Sequence, residues 1–123
     1  GRSQKSEDNF PMSAIRIYPA AGKWVVRANG AVIGESTRAL ELLQRDYPFV
    51  IYFPREDIAS AVLDPSDRAL ICDDRGRGMH FHVSSPEGMI LNAGFALTDP
   101  SPEAEALKDY LAFDAGKVTV ERV

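Results

Sequence analysis

His80 and His82 stand two apart in "MHFHV". On a strand that spacing sends both imidazoles to one face, the arrangement that two ligands of a single metal ion need. A third ligand could come from Cys72, Asp73 or Asp74, across the hairpin that the segment "DDRGRG" is expected to connect. A stable zinc site usually takes three or four protein ligands, so the balance lies with two half-exposed histidines and a protein without metal or cofactor. Cys72 is the lone cysteine. That excludes intrachain disulfides and multi-cysteine zinc sites, and in an apolar strand such a residue reads as a small packed group before a nucleophile. No Gly-x-Ser-x-Gly elbow accompanies the serines, and the two histidines follow no triad order.

A second cluster is "YFPRED" at 52–57. Its plain account is a brace: Asp57 takes backbone N–H groups at a helix start, and Arg55 forks onto Asp57 or another carboxylate. Its functional account is a site in which Arg55 and a helix amino terminus hold an anionic or carbonyl-bearing ligand, with the Tyr52 hydroxyl beside them. No glycine-rich phosphate cradle supports a nucleotide there. The bracing account suits Asp57, and the site account suits Arg55.

The elements that position these residues follow from periodicity. Ile15 and Ile17 alternate with Arg16 and Tyr18, as on a half-buried strand. Lys23–Ala28 and Ala31–Ile33 flank Asn29-Gly30, whose tolerance of positive φ marks a type I′ hairpin, and Trp24 there is expected in the core. "STRALELLQRDYP" fits either period and is read as a short helix. Residues 49–53, apolar on both faces, are expected to be the covered centre of the sheet. Pro54, Glu56 and Asp57 predict a strand-to-helix corner, with "DPSD" ending that helix. Ala69–Cys72, Met79–Val83 and Met89–Leu97 read as strands, Ser101-Pro102-Glu103 starts a helix running to near Phe113, and Val118–Val123 is a last strand. About seven strands and two or three short helices result. The expected class is mainly β (α+β), a compact antiparallel domain over residues 13–123, with residues 1–12 a frayed polar tail.

Composition narrows the function classes. Of 123 residues 45% are hydrophobic and 26% charged, as in an ordinary globular protein. The net charge of −4 shows no footprint for nucleic acid, and short basic pairs such as Arg75 and Arg77 do not reverse it. No apolar run approaches the roughly 20 residues a membrane helix needs, and the amino end lacks a signal-peptide core, so a cytosolic protein is expected. The alternating "KVTVERV" at the carboxyl end needs an edge cover, for which a homodimer is one expected solution.

Several motifs in order carry a family resemblance: "NGAVIGESTRALELL" at 29–43, "YFPREDI" at 52–58, "LDPSDR" at 63–68, a Cys-x-x-basic-Gly segment at 72–76, and "DPSPEAEALKDYLAF" at 99–113. Together they resemble a bacterial family known as domain of unknown function number four hundred and twenty-seven. The resemblance implies a β-tent or Mss4-like architecture without that group's zinc-binding cysteine pairs. It implies no established activity, although some catalogues attach a nucleotidyltransferase-like label to the family. The chain departs from the usual pattern at Asp73 and Asp74, at His80 and Phe81, and at Phe95 and Leu97, which implies an altered pocket if the family's aromatic patch lines one. The resulting expectation is a protein of unknown function, a small-molecule or partner-binding module with a site drawn from Tyr52, Arg55, Asp57, Cys72 and His80. The alternative is a small-metabolite enzyme using polar groups around Cys72 and His80.

Overall fold

Alternating apolar residues and turn-formers spaced every few residues produce ten strands in a computed structural model that describes residues 14–123. The expected tail, residues 1–12, lies outside them. In chain order the strands are β1 (Ile15–Pro19), β2 (Trp24–Ala28), β3 (Ala31–Ser36), β4 (Leu40–Gln44), β5 (Val50–Tyr52), β6 (Leu63–Cys72), β7 (Gly76–Ser85), β8 (Gly88–Pro100), β9 (Leu111–Phe113) and β10 (Thr119–Arg122). They form three antiparallel sheets, ordered β1-β4-β5, β10-β2-β3 and β6-β7-β8-β9. The protein is mainly β. Among the described residues the helical segments are short 3-10 turns, at Arg55–Asp57, Ser60–Val62 and Pro102–Leu107, and no helix is long and apolar enough to cross a membrane.

The hairpin at Asn29-Gly30 forms as its residue types require, with φ of 49° and 88°. Phe53, just past the end of β5, bonds through its N–H and C=O to the C=O and N–H of Leu111 at 2.7 and 2.8 Å, which links β5 to β9. The β5 and β9 ends thus join two sheets into one larger surface, with a core on each face. Ile51, Phe53, Phe81 and Leu111 pack on one side with Val26, Ala28 and Ile33. Tyr52, Leu97 and Ala112 pack on the other with Leu42 and Leu107. The segment expected to be covered on both sides is covered by two different cores, although Phe49, at its start, is 53% exposed.

Three local expectations are corrected. Leu40–Gln44 is a strand and not a helix, because its alternating side chains pair with β1 and β5 on either side. "DPSD" does not end a helix; it lies inside β6, where the edge position makes the missing N–H of Pro65 harmless and a register shift between Pro65 and Ala69 absorbs the irregularity. Buried Ser66 steadies that bulge, donating to Asn92 Oδ1 at 2.7 Å and accepting from the Arg68 amide. The segment after Ser101 makes a 3-10 turn that stops at Leu107, since Ser101 Oγ donates to the Asp74 carbonyl and makes no cap bond. Asp109, with φ of 64°, then reverses the chain into β9.

Candidate binding cleft

After the Phe53–Leu111 bridge the antiparallel pairing does not continue to Ile51 and Phe113, and the two chain segments part. The gap opens a cleft of about 640 Å³ between residues 47–51 on one side and 113–117 on the other, with β6, β7 and β8 forming its floor. Trp24, Tyr47, Phe49, Phe95 and Phe113 make an aromatic wall, within which Trp24 and Phe49 meet edge to face at 6.4 Å. Trp24, expected in the core, is only partly buried; it packs on the first core and also faces the cleft. Its indole N–H donates to the Ala21 carbonyl at 3.1 Å, which fixes the ring.

The polar side of the cleft is cationic. Arg68, Arg75 and Lys117 line it together with His80 and Asn92, and Asp114 is the single carboxylate among the described lining residues. Arg75 is built in from behind: its Nε and Nη2 donate to Gln44 Oε1 at 3.2 and 3.1 Å, and Gln44 Nε2 donates to Asp74 Oδ2 at 2.8 Å. Gln44 is buried because β4 alternation places it on the inward side with Leu42. Reading that stretch as a helix conceals this, and the strand period Leu40-Leu42-Gln44 is the signal that would have revealed it.

Tyr52 lies fully buried under this network, edge to face with Phe95 at 6.3 Å. Burial pushes its phenol above the ordinary 10.0; the positive charge of Arg75 and a hydrogen bond from it partly offset that, and Cys72 adds a small upward push. A phenol whose pKa is raised by folding contributes stability that is intact below the unfolded value near 10 and is lost as pH rises through the folded value. Spectrophotometric titration should therefore show one of the four tyrosines ionising only as the protein unfolds, and Tyr52→Phe should lessen the loss of stability above about pH 10. Equal alkaline sensitivity of the two proteins would refute the assignment.

The residues expected at a site are not gathered into one. His80 lines the cleft, its Nδ1 3.3 Å from the Arg68 carbonyl and its ring 6.3 Å from that of Phe95. His82 shares its face of β7, but its Nδ1 accepts the Asn92 amide at 2.9 Å and so has no free lone pair to pair with His80 on a metal ion. Among the described residues no three His, Cys, Asp or Glu side chains come together with metal-binding geometry. Cys72 is opposite Gly76 in the β6–β7 register, and His80 is four residues further along, about 13 Å at roughly 3.3 Å per residue. That is too far for a thiol–imidazole pair.

The corner at 52–57 faces elsewhere. Arg55 does not fork onto Asp57; its guanidinium sits 4.8 Å over the Phe81 ring, and Arg38 takes Asp57 at 3.0 Å and Glu56 at 3.3 Å. Nor does Asp57 cap the turn, which has Pro54 at its start and no side-chain cap bond. Arg38 and Asp57 line a second, polar groove of about 230 Å³ with Lys23 and Glu35, whose ion pair at 2.8 Å leaves it internally neutralised. Double-mutant analysis should show coupling between Arg38→Ala and Asp57→Ala and simple additivity between Arg55→Ala and Asp57→Ala, with Arg55→Ala alone costing about 0.5–1 kcal/mol. Coupling of Arg55 to Asp57 would overturn this geometry.

A family model described as a domain of unknown function (DUF427) matches residues 16–123, and no curated protein matches the chain.

Proposed function

Because the chain belongs to the DUF427 family, from which no activity can be inherited, we propose its function from the cleft: it is a small-molecule-binding module. One observation carries the reading. The cleft between β5 and β9 has the size of a small-molecule site and the usual makeup of one, mostly apolar and aromatic walls with a few convergent polar groups. The expected site near the 52–57 corner moves to the other end of β5, and of the residues proposed there Tyr52 keeps a part, as support beneath Arg75. A β-tent or Mss4-like architecture is our reading of the fold, supported by three antiparallel sheets that leave a cleft where two of them part.

Trp24 is the only tryptophan and lines the cleft, so it reports occupancy directly. Small aromatic fragments that enter should change its emission saturably. Ala115→Tyr, which places bulk at an exposed cleft residue, should weaken them about tenfold or more. A fragment set giving no saturable change, or titrations that Ala115→Tyr leaves unaltered, would defeat the proposal.

A further inference from the structure

Charge balance in the cleft identifies its ligand more closely. The chain carries 14 basic and 18 acidic residues, and the described salt bridges engage Lys23, Arg27 and Arg38, all outside the cleft. Among the described residues none of Arg68, Arg75 and Lys117 has a carboxylate within salt-bridge distance. Lys117 Nζ donates to the Leu91 carbonyl at 2.9 Å, and Arg75 meets only the neutral oxygen of Gln44 and the phenol of Tyr52. Asp74 reaches Arg75 only through Gln44. Asp114, the one carboxylate among the described lining residues, is turned to its own loop, where Oδ1 accepts the Gly116 backbone N–H at 2.9 Å. Among the described residues three permanent cations line one cleft with a single carboxylate that pairs with none of them, in a chain that is acidic overall, and this makes a positive pocket that attracts and orients an anion.

We infer that the cleft takes a flat, apolar small molecule bearing one anionic group, and that Arg75 receives the anion. Gln44 holds the Nε side of the guanidinium, so its remaining N–H groups can meet a carboxylate or an equivalent oxyanion without the side chain having to be ordered first. The aromatic wall supplies faces and edges against which a planar body stacks. The inference rests on the reading of the cleft as a small-molecule site.

Amide shift titrations of the full chain separate the two. The probes are 2-naphthoate, its neutral counterpart 2-naphthamide, and inorganic phosphate, which has charge without an apolar body. Naphthoate is expected to shift cleft amides and to bind about tenfold more tightly than naphthamide, with phosphate weaker still. Arg75→Gln should abolish the preference for naphthoate over naphthamide. Lys117→Gln, at an exposed position, should weaken naphthoate about two- to threefold and leave naphthamide unchanged. Added salt should do the same, which keeps the test informative should Arg75→Gln fail to fold. Naphthamide or phosphate binding as tightly as naphthoate, or an Arg75→Gln protein that keeps the preference, would overturn the ligand class while leaving the cleft a site. If neither naphthyl probe shifts the cleft amides, the binding-module reading fails and the inference fails with it.

Discussion

Phe53→Ala is expected to destabilise the protein by about 3–5 kcal/mol, a large part of the roughly 5–15 kcal/mol a domain of this size possesses. The side chain is fully buried, and its ring meets that of Phe113 edge to face at 6.0 Å. Truncation removes the transfer free energy of the ring and leaves a cavity, because the Phe53 backbone is held by two short bonds to Leu111 and cannot collapse inward. The cleft should change as well. Phe113 lines it, and without its partner that ring has empty space to fall into, so fragments that stack there should bind more weakly. Phe53→Leu, which restores most of the volume, should recover much of the loss. Chemical denaturation of both variants provides the measurement, and a cost below about 2 kcal/mol for Phe53→Ala would show that β5 and β9 are not joined by a packed core at this point.

Gly78→Ala is expected to cost about 3 kcal/mol or more, an unusual penalty for one methyl group. Gly78 sits at a register shift between β7 and β8. A Cβ there would overlap the Ala96 carbonyl oxygen and stand 2.9 Å from Leu97 Cα. Both belong to the backbone of β8, which is hydrogen-bonded on its other side to β9, so no flexible side chain can give way. Accommodating the methyl group means breaking the bulge or part of the ladder. Gly94 is the control. A Cβ there would meet Phe113 ring atoms at 3.4 Å, which is ordinary contact, and Gly94→Ala should lie within about 1 kcal/mol of the parent. Equal losses for the two variants would show that the close approach at Gly78 is not what makes glycine necessary.

Local order was legible in the residues themselves. The alternation of Ile15 and Ile17 with Arg16 and Tyr18 is β1, and Asn29-Gly30 is the hairpin turn, because both signals depend on neighbouring residues and on φ angles that few side chains tolerate. Family membership was legible too, from motifs spread over most of the chain. Where two periods fit the same residues, as in Leu40–Gln44, local preference could not choose. The flanking strands did, by pairing with it on both sides.

The site depended on contacts that sequence distance hides. Arg55, two residues from Asp57, is its obvious partner on paper. Arg38, nineteen residues away, holds it because β3 and the 52–57 corner are brought together by the Gly34–Ile58 bridge. Arg75 looked like half of a minor basic pair, and only the folding of β4 against the β6–β7 hairpin gives it Gln44 for support and Tyr52 beneath. The sequence by itself determined the family, the Asn29-Gly30 turn and those strands whose period is unambiguous, such as β1, since these rest on local backbone preference and on which face of the strand is apolar. The tertiary structure alone decided where β5 and β9 part, and with that which cations line one cleft without a salt-bridge partner among the described residues. A cleft is set by where pairing stops between segments some sixty residues apart, and no local pattern encodes that.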